Sequence, residues 1–206
     1  MTFSETDFSS LDTEFRRHFF NTLPGPRGVH LLATRGYKGQ ENVAVFSSVV
    51  HIGARPPLLG FLLRQLTVPR QTYHHIQANK WFTLNTIQPS YLHPAHQTSA
   101  NYDLFESEFA ATGLTPEYLG ESKAPYVAES PIKIGLTLVE EHLIEANGTR
   151  LLVGQIREVF VPDEAVDASG HIDHVLLKTM TVAGLDTYHE VGPAHELSYA
   201  RPPKNS

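Results

Sequence analysis

The sequence contains no cysteine among its 206 residues. A chain without thiols forms no disulfide, holds no iron–sulfur cluster and offers no thiolate to zinc. The same absence excludes catalysis by a cysteine nucleophile. Any chemistry that the chain performs must use other side chains or a bound cofactor.

Long apolar runs and clusters of positive charge are also missing. No apolar stretch approaches the roughly 20 residues of a membrane-spanning helix, and the N-terminal region interleaves charged with apolar side chains, unlike a secretory signal. Lys and Arg total 16 against 22 Asp and Glu, which gives a net charge of −6 without any basic run. Nucleic acid and anionic membranes attract basic patches. We therefore expect a cytoplasmic protein that binds neither.

The length of 206 residues suits one domain and hardly two. We predict a single domain over residues 1–206, with an N-terminal helix within 1–22 and a loose tail at 203–206. Ser9 or Ser10 can cap this helix, which should begin directly after them and end before a Pro-Gly-Pro turn.

The middle of the chain is dominated by short runs rich in β-branched and aromatic residues, separated by Gly, Pro and polar turns. Such runs predict strands, here at 28–35, 42–53, 56–64 and 81–87. Residues 70–80 fit a short helix with Tyr73 and Ile76 turned inward. A further helix is predicted over Leu104–Thr112, ended by Gly113 as its C-cap.

The clearest strand signal is the alternation of apolar residues with other residues over 132–139. Asn147 and Gly148 then predict a type I′ hairpin turn, with a return strand at 149–161. Two long antiparallel strands after several short ones favour a closed, mostly β barrel over a doubly wound sheet. The sequence has neither a GxGxxG fingerprint nor a P-loop, which argues against a Rossmann or P-loop nucleotide site.

Two groups of polar residues near the first strands could bind a phosphate. Ser47 and Ser48 follow an apolar strand, and Arg70 and Thr72 stand at the entrance to the predicted helix. An arginine, a hydroxyl and the free N–H groups of a helix start together form a plausible phosphate cradle. The alternative is that the serines face solvent, Thr72 caps the helix and Arg70 makes a surface salt bridge.

The order of several short motifs resembles the flavin reductase-like family of FMN-binding split barrels, close to its flavoredoxin-like branch. The resemblance runs from about Leu23 to Pro202. Its elements are TR and NVAVFSS, the di-proline run ARPPLLGF, Arg64, RQTYHHI, WFTLN, HQTSANYD, SEFAATGL, and the C-terminal GLDTYHEVG and LSYARPP. Many relatives carry Lys-Asp-Thr where this chain has Arg-Gln-Thr, a change that keeps the positive charge.

The resemblance implies a mostly β fold: an antiparallel FMN-binding split barrel with a few peripheral helices. Such proteins are usually homodimers with FMN near the subunit interface. The positions that match the family's cofactor site are Asn42, Phe46, Ser47, Ser48, Arg64, Arg70, Thr72, Asn85, Ser99 and Ala100. Arg70 and Thr72 would hold the phosphate with help from Ser47 or Ser48, and Asn85 would lie close to the cofactor or its support.

The implied function is NAD(P)H-dependent flavin reduction, which supplies reduced flavin to an oxygenase or redox partner or retains it as a bound redox group. Catalytic side chains need not be visible, because the flavin itself carries the hydride chemistry. Two alternatives stay open at this point. The chain could be a non-catalytic electron carrier of the flavoredoxin type, or a barrel-fold binding or sensor module without flavin.

Twelve histidines raise the question of a metal site. His93 and His96, and likewise His171 and His174, have ligand-like spacing, but neither pair has a third ligand at a supporting distance in the sequence. We therefore predict no metal and assign these histidines to the surface or the pocket lining, with His93 or His96 near the flavin edge. His74 and His75 should form one exposed and one buried ring.

Other aromatic and acidic residues have simpler interpretations. Trp81 and Phe82, which head a predicted strand, are expected in the core. Glu140 and Glu141 are expected at a solvated strand end. Asp103, Glu106 and Glu108 are expected at a helix start and on the surface.

Overall fold

The computed structural model describes residues 1–67, 70–103 and 106–202. The α-helices in this part of the chain are α1 (Glu5–Phe8), α2 (Thr13–Thr22), α3 (Gln71–Asn79), α4 (Leu92–Gln97) and α5 (Glu108–Thr112). The strands are β1 (Arg27–Gly28), β2 (His30–Arg35), β3 (Glu41–Phe46), β4 (Val49–Ala54), β5 (Pro57–Leu63), β6 (Trp81–Thr86), β7 (Pro116–Glu117), β8 (Tyr126–Val127), β9 (Lys133–Ile144), β10 (Thr149–Phe160), β11 (Met180–Ala183) and β12 (Thr187–Glu190).

Seven of these strands form one antiparallel sheet in the order β3-β2-β6-β9-β10-β5-β4. The long strands β9 and β10 form its centre, and β3 and β4 are its two edges. The edges are consecutive in the chain and joined only by Ser47 and Ser48, so the sheet curls back on itself without pairing them. The fold is the antiparallel split barrel that the sequence predicted, and the split lies at this serine pair.

Two hydrophobic clusters pack on opposite faces of β2. Leu32 belongs to the cluster inside the barrel with Phe61, Phe82, Leu136 and Leu152. Its neighbours in the chain face the other way, and pack with residues of β3, α4, α5 and β11 in the cluster Val29, Leu31, Ala33, Val43, Ile87, Tyr91, Ala95, Phe109, Leu114, Val127, Met180 and Val182. A strand covered on both faces is apolar at successive positions rather than at alternate ones.

The predicted strands are present with two corrections. The run 28–35 is divided between β1, which pairs with β11, and β2, which belongs to the seven-stranded sheet. The run 42–53 is two strands, because the chain leaves the sheet at Ser47 and Ser48. The Ser48 hydroxyl donates to the Leu62 carbonyl at 3.0 Å and accepts from the Leu62 N–H at 3.2 Å. A side chain thus replaces the ladder bonds that a continuous strand would have made at this position.

The predicted hairpin between β9 and β10 exists, but its turn type was wrong. Gly148 has φ of 69°, while Asn147 is absent from the residues with positive φ, so the turn is not type I′. The turn spans four residues, with Ile144 paired to Thr149, and the N–H groups of Asn147 and Gly148 both donate to the Ile144 carbonyl.

The predicted N-terminal helix is present as α2, but its predicted cap, Ser9 or Ser10, was wrong, and the short helix α1 precedes it. The region forms α1 and α2, and α2 is capped by Asp12, whose carboxylate accepts from the N–H groups of Glu14 and Phe15 at 2.9 and 3.1 Å. Ser10 instead donates its hydroxyl to a carbonyl of α1. The Asp12 carboxylate accepts two N–H groups at the positive end of the α2 dipole, which makes it the cap of this helix.

The helix predicted over Leu104–Thr112 is shorter. α5 begins at Glu108, with Ser107 at its N-cap position, while Leu104 and Phe105 lie outside the described residues. Gly113 ends α5 with φ of 77°, as predicted. The predicted tail at 203–206 lies outside the described residues as well. None of the helices that the structure describes is long and apolar enough to cross a membrane.

Candidate functional site

A cleft of about 960 Å³ opens where the barrel is split. One wall is the end of β3, the serine pair and the start of β4. The facing walls come from the end of β5, the start of α3, the segment after α4, and residues of α2 and β12. The lining includes Arg17, Arg27, Asn42, Phe46, Ser47, Ser48, Val50, Leu62, Arg64, Arg70, Thr72, His96, Ser99, Ala100, Glu108 and Tyr188.

Nine of the ten predicted cofactor-site residues lie on this lining: Asn42, Phe46, Ser47, Ser48, Arg64, Arg70, Thr72, Ser99 and Ala100. They come from four separate parts of the chain, and the fold brings them to one cleft. Their role in binding a ligand stays a prediction.

Asn85 is not part of the cleft lining. It is buried under the barrel wall, where it donates to the Leu31 carbonyl at 3.0 Å and to Thr83 Oγ1 at 2.9 Å. Its own oxygen accepts from the Val127 N–H at 3.1 Å. These bonds tie β6 to β2 and β8, so Asn85 supports the fold rather than a ligand in the cleft.

The charged part of the cleft surrounds the first turn of α3. Arg70 stands at the N-cap position of this nine-residue helix and gives it no side-chain cap. Its Nε donates to the Gln65 carbonyl at 3.3 Å, which holds the guanidinium in place without neutralising it. Among the described residues, neither Arg70 nor Arg64 forms an ion pair. An uncapped helix start beside two unpaired guanidiniums suits a phosphate.

The two serines at the split differ in what they can offer. The Ser48 hydroxyl is occupied in both directions by the backbone of Leu62. The Ser47 hydroxyl has no hydrogen-bond partner within 1–67, 70–103 and 106–202, and it lines the cleft. Ser47 is therefore the serine that can bind a ligand through its side chain.

An apolar surface continues from the charged region. Phe46 lies half-buried at the end of β3, and its ring makes an edge-to-face contact with the ring of Phe61, with 5.3 Å between the two ring centroids. Phe61 makes the same type of contact with Phe82 at 5.4 Å in the core. Phe46 is thus fixed from behind while its free side faces the cleft, an arrangement that suits contact with a flat aromatic ligand.

The floor of the cleft holds a polar chain that the sequence did not indicate. Glu108 begins α5, as expected, but it is half-buried rather than on the surface, and its Oε2 accepts from the Val43 N–H of β3 at 3.4 Å. Burial raises the pKa of its carboxyl above the ordinary value. Asn42 lies between Glu108 and Thr72, with its amide 3.1 Å from Thr72 Oγ1. The contact between residues 108 and 42 arises from the packing of α5 on β3, and no local sequence pattern predicts such packing.

The histidines divide between the cleft and the surface. His96 lines the cleft, and its Nδ1 lies 2.9 Å from the Tyr188 hydroxyl, whereas His93 is exposed. On α3 His74 is exposed and His75 is half-buried, with its Nδ1 3.1 Å from Thr34 Oγ1.

Within residues 1–67, 70–103 and 106–202, no three His, Asp or Glu side chains come together in a way that could hold a metal ion. That the chain needs no metal stays a prediction.

Two further expectations concern the strands. Phe82 lies in the core, as predicted, and Trp81 is half-buried beside it. Glu141 was expected at a solvated strand end, but it is half-buried and pairs with Arg150 at 2.5 Å. Tyr73 at 3.1 Å and Gln77 at 2.6 Å donate to the same carboxylate. This cluster fastens the outer face of α3 to β9 and β10.

Comparison with known proteins shows what this fold and cleft are related to. Residues 25–178 match the family model described as a flavin reductase like domain. The crystal structure of a protein from Shewanella frigidimarina NCIMB 400, assigned as a flavin reductase with a split barrel domain, is 42% identical over 97% of this chain and 100% of that chain, with a TM-score of 0.93. No curated protein matches the sequence.

Two more distant structures share the architecture. Flavoredoxin of Desulfovibrio vulgaris (Miyazaki F) is 26% identical over 85% of this chain and 92% of that chain, with a TM-score of 0.72. Nitrilotriacetate monooxygenase component B from Bacillus cereus is 21% identical over 96% and 98%, with a TM-score of 0.82. The resemblance that the motifs predicted is confirmed: this chain belongs to the flavin reductase-like family of split barrels, and its function is flavin-related.

Proposed function

We propose that the cleft binds FMN and that the protein is an NAD(P)H-dependent flavin reductase, which supplies or holds reduced flavin. The observation that carries this proposal is one cleft that combines the start of α3 with an apolar, aromatic wall and with Arg64 and Arg70, which form no ion pair among the described residues. Such a cleft is complementary to a molecule with one phosphate and one flat ring system.

Different residues of the cleft lining would bind the phosphate and the ring system of FMN. Arg70, Arg64 and Thr72 would bind the phosphate together with the Ser47 hydroxyl. Phe46 and the neighbouring apolar residues would contact the ring system, and the backbone at Ser99 and Ala100 would line its other side. FAD carries a second phosphate and an adenosine in addition to the FMN portion. The residues named above form one phosphate site and no second one, so we expect FMN to bind and FAD to bind poorly.

A bound flavin would supply the hydride chemistry through its own ring electronics. The residues of this chain would then have to bind, orient and shield it. The positive charges of the four arginines on the lining also favour an anionic ligand.

The proposal is tested by the visible spectrum of purified protein with added FMN, followed by anaerobic addition of NADH and of NADPH. Loss of the oxidised-flavin absorbance with either nucleotide is the expected result. Protein that retains FMN but is reduced by neither nucleotide would be an electron carrier instead. A colourless protein that ignores added FMN would be a flavin-free binding module.

We also propose that the protein is a homodimer and passes electrons to an oxygenase or redox partner. Val50 and Leu62 at the rim of the cleft, and Ile52 beside them on β4, leave 45%, 40% and 44% of their surfaces exposed. A second copy would cover such residues and narrow the cleft mouth. Sedimentation of the protein at several concentrations, with and without FMN, tests the dimer.

A further inference from the structure

The cleft lining carries a second pair of arginines that the proposed FMN site does not use. Arg17 comes from α2 and Arg27 from β1, whereas Arg64 follows β5 and Arg70 precedes α3. α2 lies outside residues 25–178, which match the family model, so the family match assigns no role to Arg17. This second pair of positive charges needs an explanation of its own.

The length of β3 separates Arg27 from the proposed phosphate site. At the start of β3, the amide of Asn42 lies 3.1 Å from Thr72 Oγ1 in the phosphate site. At its end, Phe46 pairs with His30 of β2, and Arg27 comes three residues before His30 in the chain. Asn42 and Phe46 are four residues apart, which is about 13 Å at the ordinary rise of a strand. Arg27 therefore lies at the end of β3 that is remote from the phosphate site.

Arg27 is held by backbone carbonyls and keeps its charge. Its Nη2 donates to the Asn21 carbonyl at 3.3 Å and to the Gly184 carbonyl at 3.4 Å. Its Nε and Nη1 have no hydrogen-bond partner in the part of the chain that the structure describes. Asp186, in the turn between β11 and β12, also lines the cleft, yet no ion pair joins Arg27 to any described residue. A half-buried guanidinium with free N–H groups suits the oxygens of a phosphate.

Arg17 adds a second and more exposed guanidinium on the same side of the cleft. Arg17 and Asn21 are four residues apart on one face of α2, and the carbonyl of Asn21 accepts from Arg27. The Nη2 of Arg17 lies 3.2 Å from His18 Nε2 and 3.5 Å from a carboxylate oxygen of Glu14. The side chains of Arg17 and Glu14 are 49% and 80% exposed, so this ion pair contributes little and leaves Arg17 able to bind an anion.

A second anionic ligand would have to share the cleft with FMN. The cleft volume of about 960 Å³ lies near the upper end of the range of about 300–1,000 Å³ for pockets that hold one drug-sized ligand. The proposed reaction brings a second molecule to this place, because the nicotinamide ring of the donor must lie against the flavin ring. Both NADH and NADPH carry a pyrophosphate, and NADPH has a further phosphate on its adenosine ribose.

The second phosphate of FAD is a poorer match for this site. It is joined to the first phosphate through one oxygen atom, so it stays near the start of β3 when the first phosphate is bound there. The dinucleotide donor is a separate molecule and can place its phosphates at the other end of the cleft.

We propose that Arg17 and Arg27 form a second anion site, which binds a phosphate group of the nicotinamide dinucleotide while FMN occupies the site at Arg70. This proposal rests on the proposed function, in that it needs a dinucleotide donor in the cleft. Arg27 is the anchor of the site, because two backbone carbonyls fix its position. Arg17 contributes a second charge from α2.

The test compares three hydride donors in FMN-loaded wild-type protein and Arg27→Ala: NADH, NADPH and N-benzyl dihydronicotinamide, which has no phosphate. The rate of flavin reduction as a function of donor concentration gives a dissociation constant for each donor. Arg27→Ala should weaken the binding of at least one dinucleotide about ten- to a hundredfold, the effect of a hydrogen bond between charged groups. The N-benzyl donor should reduce both proteins equally well.

The two dinucleotides identify the phosphate that is bound. Equal losses for NADH and NADPH would assign the site to the pyrophosphate, and a loss for NADPH alone would assign it to the phosphate on the adenosine ribose. Arg27→Lys keeps the charge without the planar fork, so it should retain part of the affinity that Arg27→Ala loses.

Arg16→Ala is the matched control for Arg17→Ala, because it removes the same charge from the same helix at an exposed residue outside the cleft lining. Arg17→Ala should weaken dinucleotide binding less than Arg27→Ala does, and high salt should reduce its effect, since exposed charges are screened. Arg16→Ala should behave as wild type does.

Equilibrium binding provides a readout without turnover. Calorimetry of NAD⁺ and NADP⁺ with FMN-loaded protein should show the same losses, while Arg27→Ala should bind FMN nearly as wild type does. Unchanged dinucleotide binding in Arg27→Ala, an equal loss for the N-benzyl donor, or an equal loss for FMN would overturn the second anion site. Wild-type protein that binds FMN but is reduced by neither dinucleotide would overturn the proposed function, and this site with it.

Discussion

At residue 154 the packing of the barrel core leaves no space for a side chain larger than that of glycine. This residue lies on β10, beside a register shift, and a Cβ there would collide with Phe82 Cζ and come within 3.1 Å of Leu136 Cδ2. Both neighbours are fully buried, so neither can move into solvent. Gly154→Ala should lower the free energy of unfolding by about 1–3 kcal/mol.

Chemical denaturation measures this change. Gly192→Ala is the matched control, because no heavy atom of the described residues, apart from its chain neighbours, lies within 4 Å of a Cβ at that position. Equal stability of Gly154→Ala and Gly192→Ala would show that the core around Phe82 is looser than described.

His30 should make the fold sensitive to acid. Its Nδ1 is buried and has no hydrogen-bond partner in the described part of the chain. Burial, with a smaller contribution from the nearby His174, lowers its pKa from 6.5 to about 4. The unfolded chain therefore takes up a proton below pH 6.5 that the folded protein refuses until about pH 4, and stability falls over this window.

Thermal unfolding of wild type and His30→Gln at neutral pH and near pH 5 tests this. The melting temperature of His30→Gln should fall less on acidification than that of wild type. His93→Gln, which replaces an exposed ring, should behave as wild type does. The same acid loss in all three proteins would assign the sensitivity to other groups.

Among the elements, α3 is joined to β9 and β10 through the carboxylate of Glu141. Tyr73 and Gln77 of α3 both donate to Glu141 on β9, and Arg150 on β10 pairs with it and lies over the Tyr73 ring at 5.7 Å. Glu141→Ala leaves these donors without an acceptor and should cost about 1–3 kcal/mol of unfolding free energy.

Because α3 also carries Arg70 and Thr72, the loss should extend to the cleft. We expect Glu141→Ala to weaken FMN binding, and Glu140→Ala, at its exposed neighbour, to change neither stability nor binding. A stable Glu141→Ala protein with normal FMN affinity would show that α3 is held by its buried face alone.

The elements also show where sequence patterns suffice and where they fail. Strand alternation at 132–139 and the Gly113 cap depend on a few adjacent residues, so both were predictable. The break at Ser48, the start of α2 and the hairpin turn depend on a choice between competing local hydrogen bonds. Glu108 and Glu141 lie far in sequence from the residues that bury them, and no local pattern reveals such contacts.

For the whole molecule, FMN should act as a stabilising ligand. Binding to the folded state alone, at about 100 times the dissociation constant, adds roughly 2.7 kcal/mol. In a domain of this size the melting temperature should rise by about 5–10 °C. Differential scanning fluorimetry or calorimetry with FMN, and with FAD as the control, measures it. No rise at saturating FMN would contradict flavin binding by this chain.

The most direct test of the central claim is the affinity of Arg70→Ala for FMN and for riboflavin. A charge-assisted bond of this kind contributes about 1.5–3 kcal/mol, so FMN should bind about ten- to a hundredfold more weakly. Riboflavin, which has no phosphate, should bind nearly as it does to wild type, and Arg16→Ala, at an exposed residue outside the cleft, should change neither affinity. Equal losses for the two ligands, or no loss for either, would contradict a phosphate anchor at Arg70.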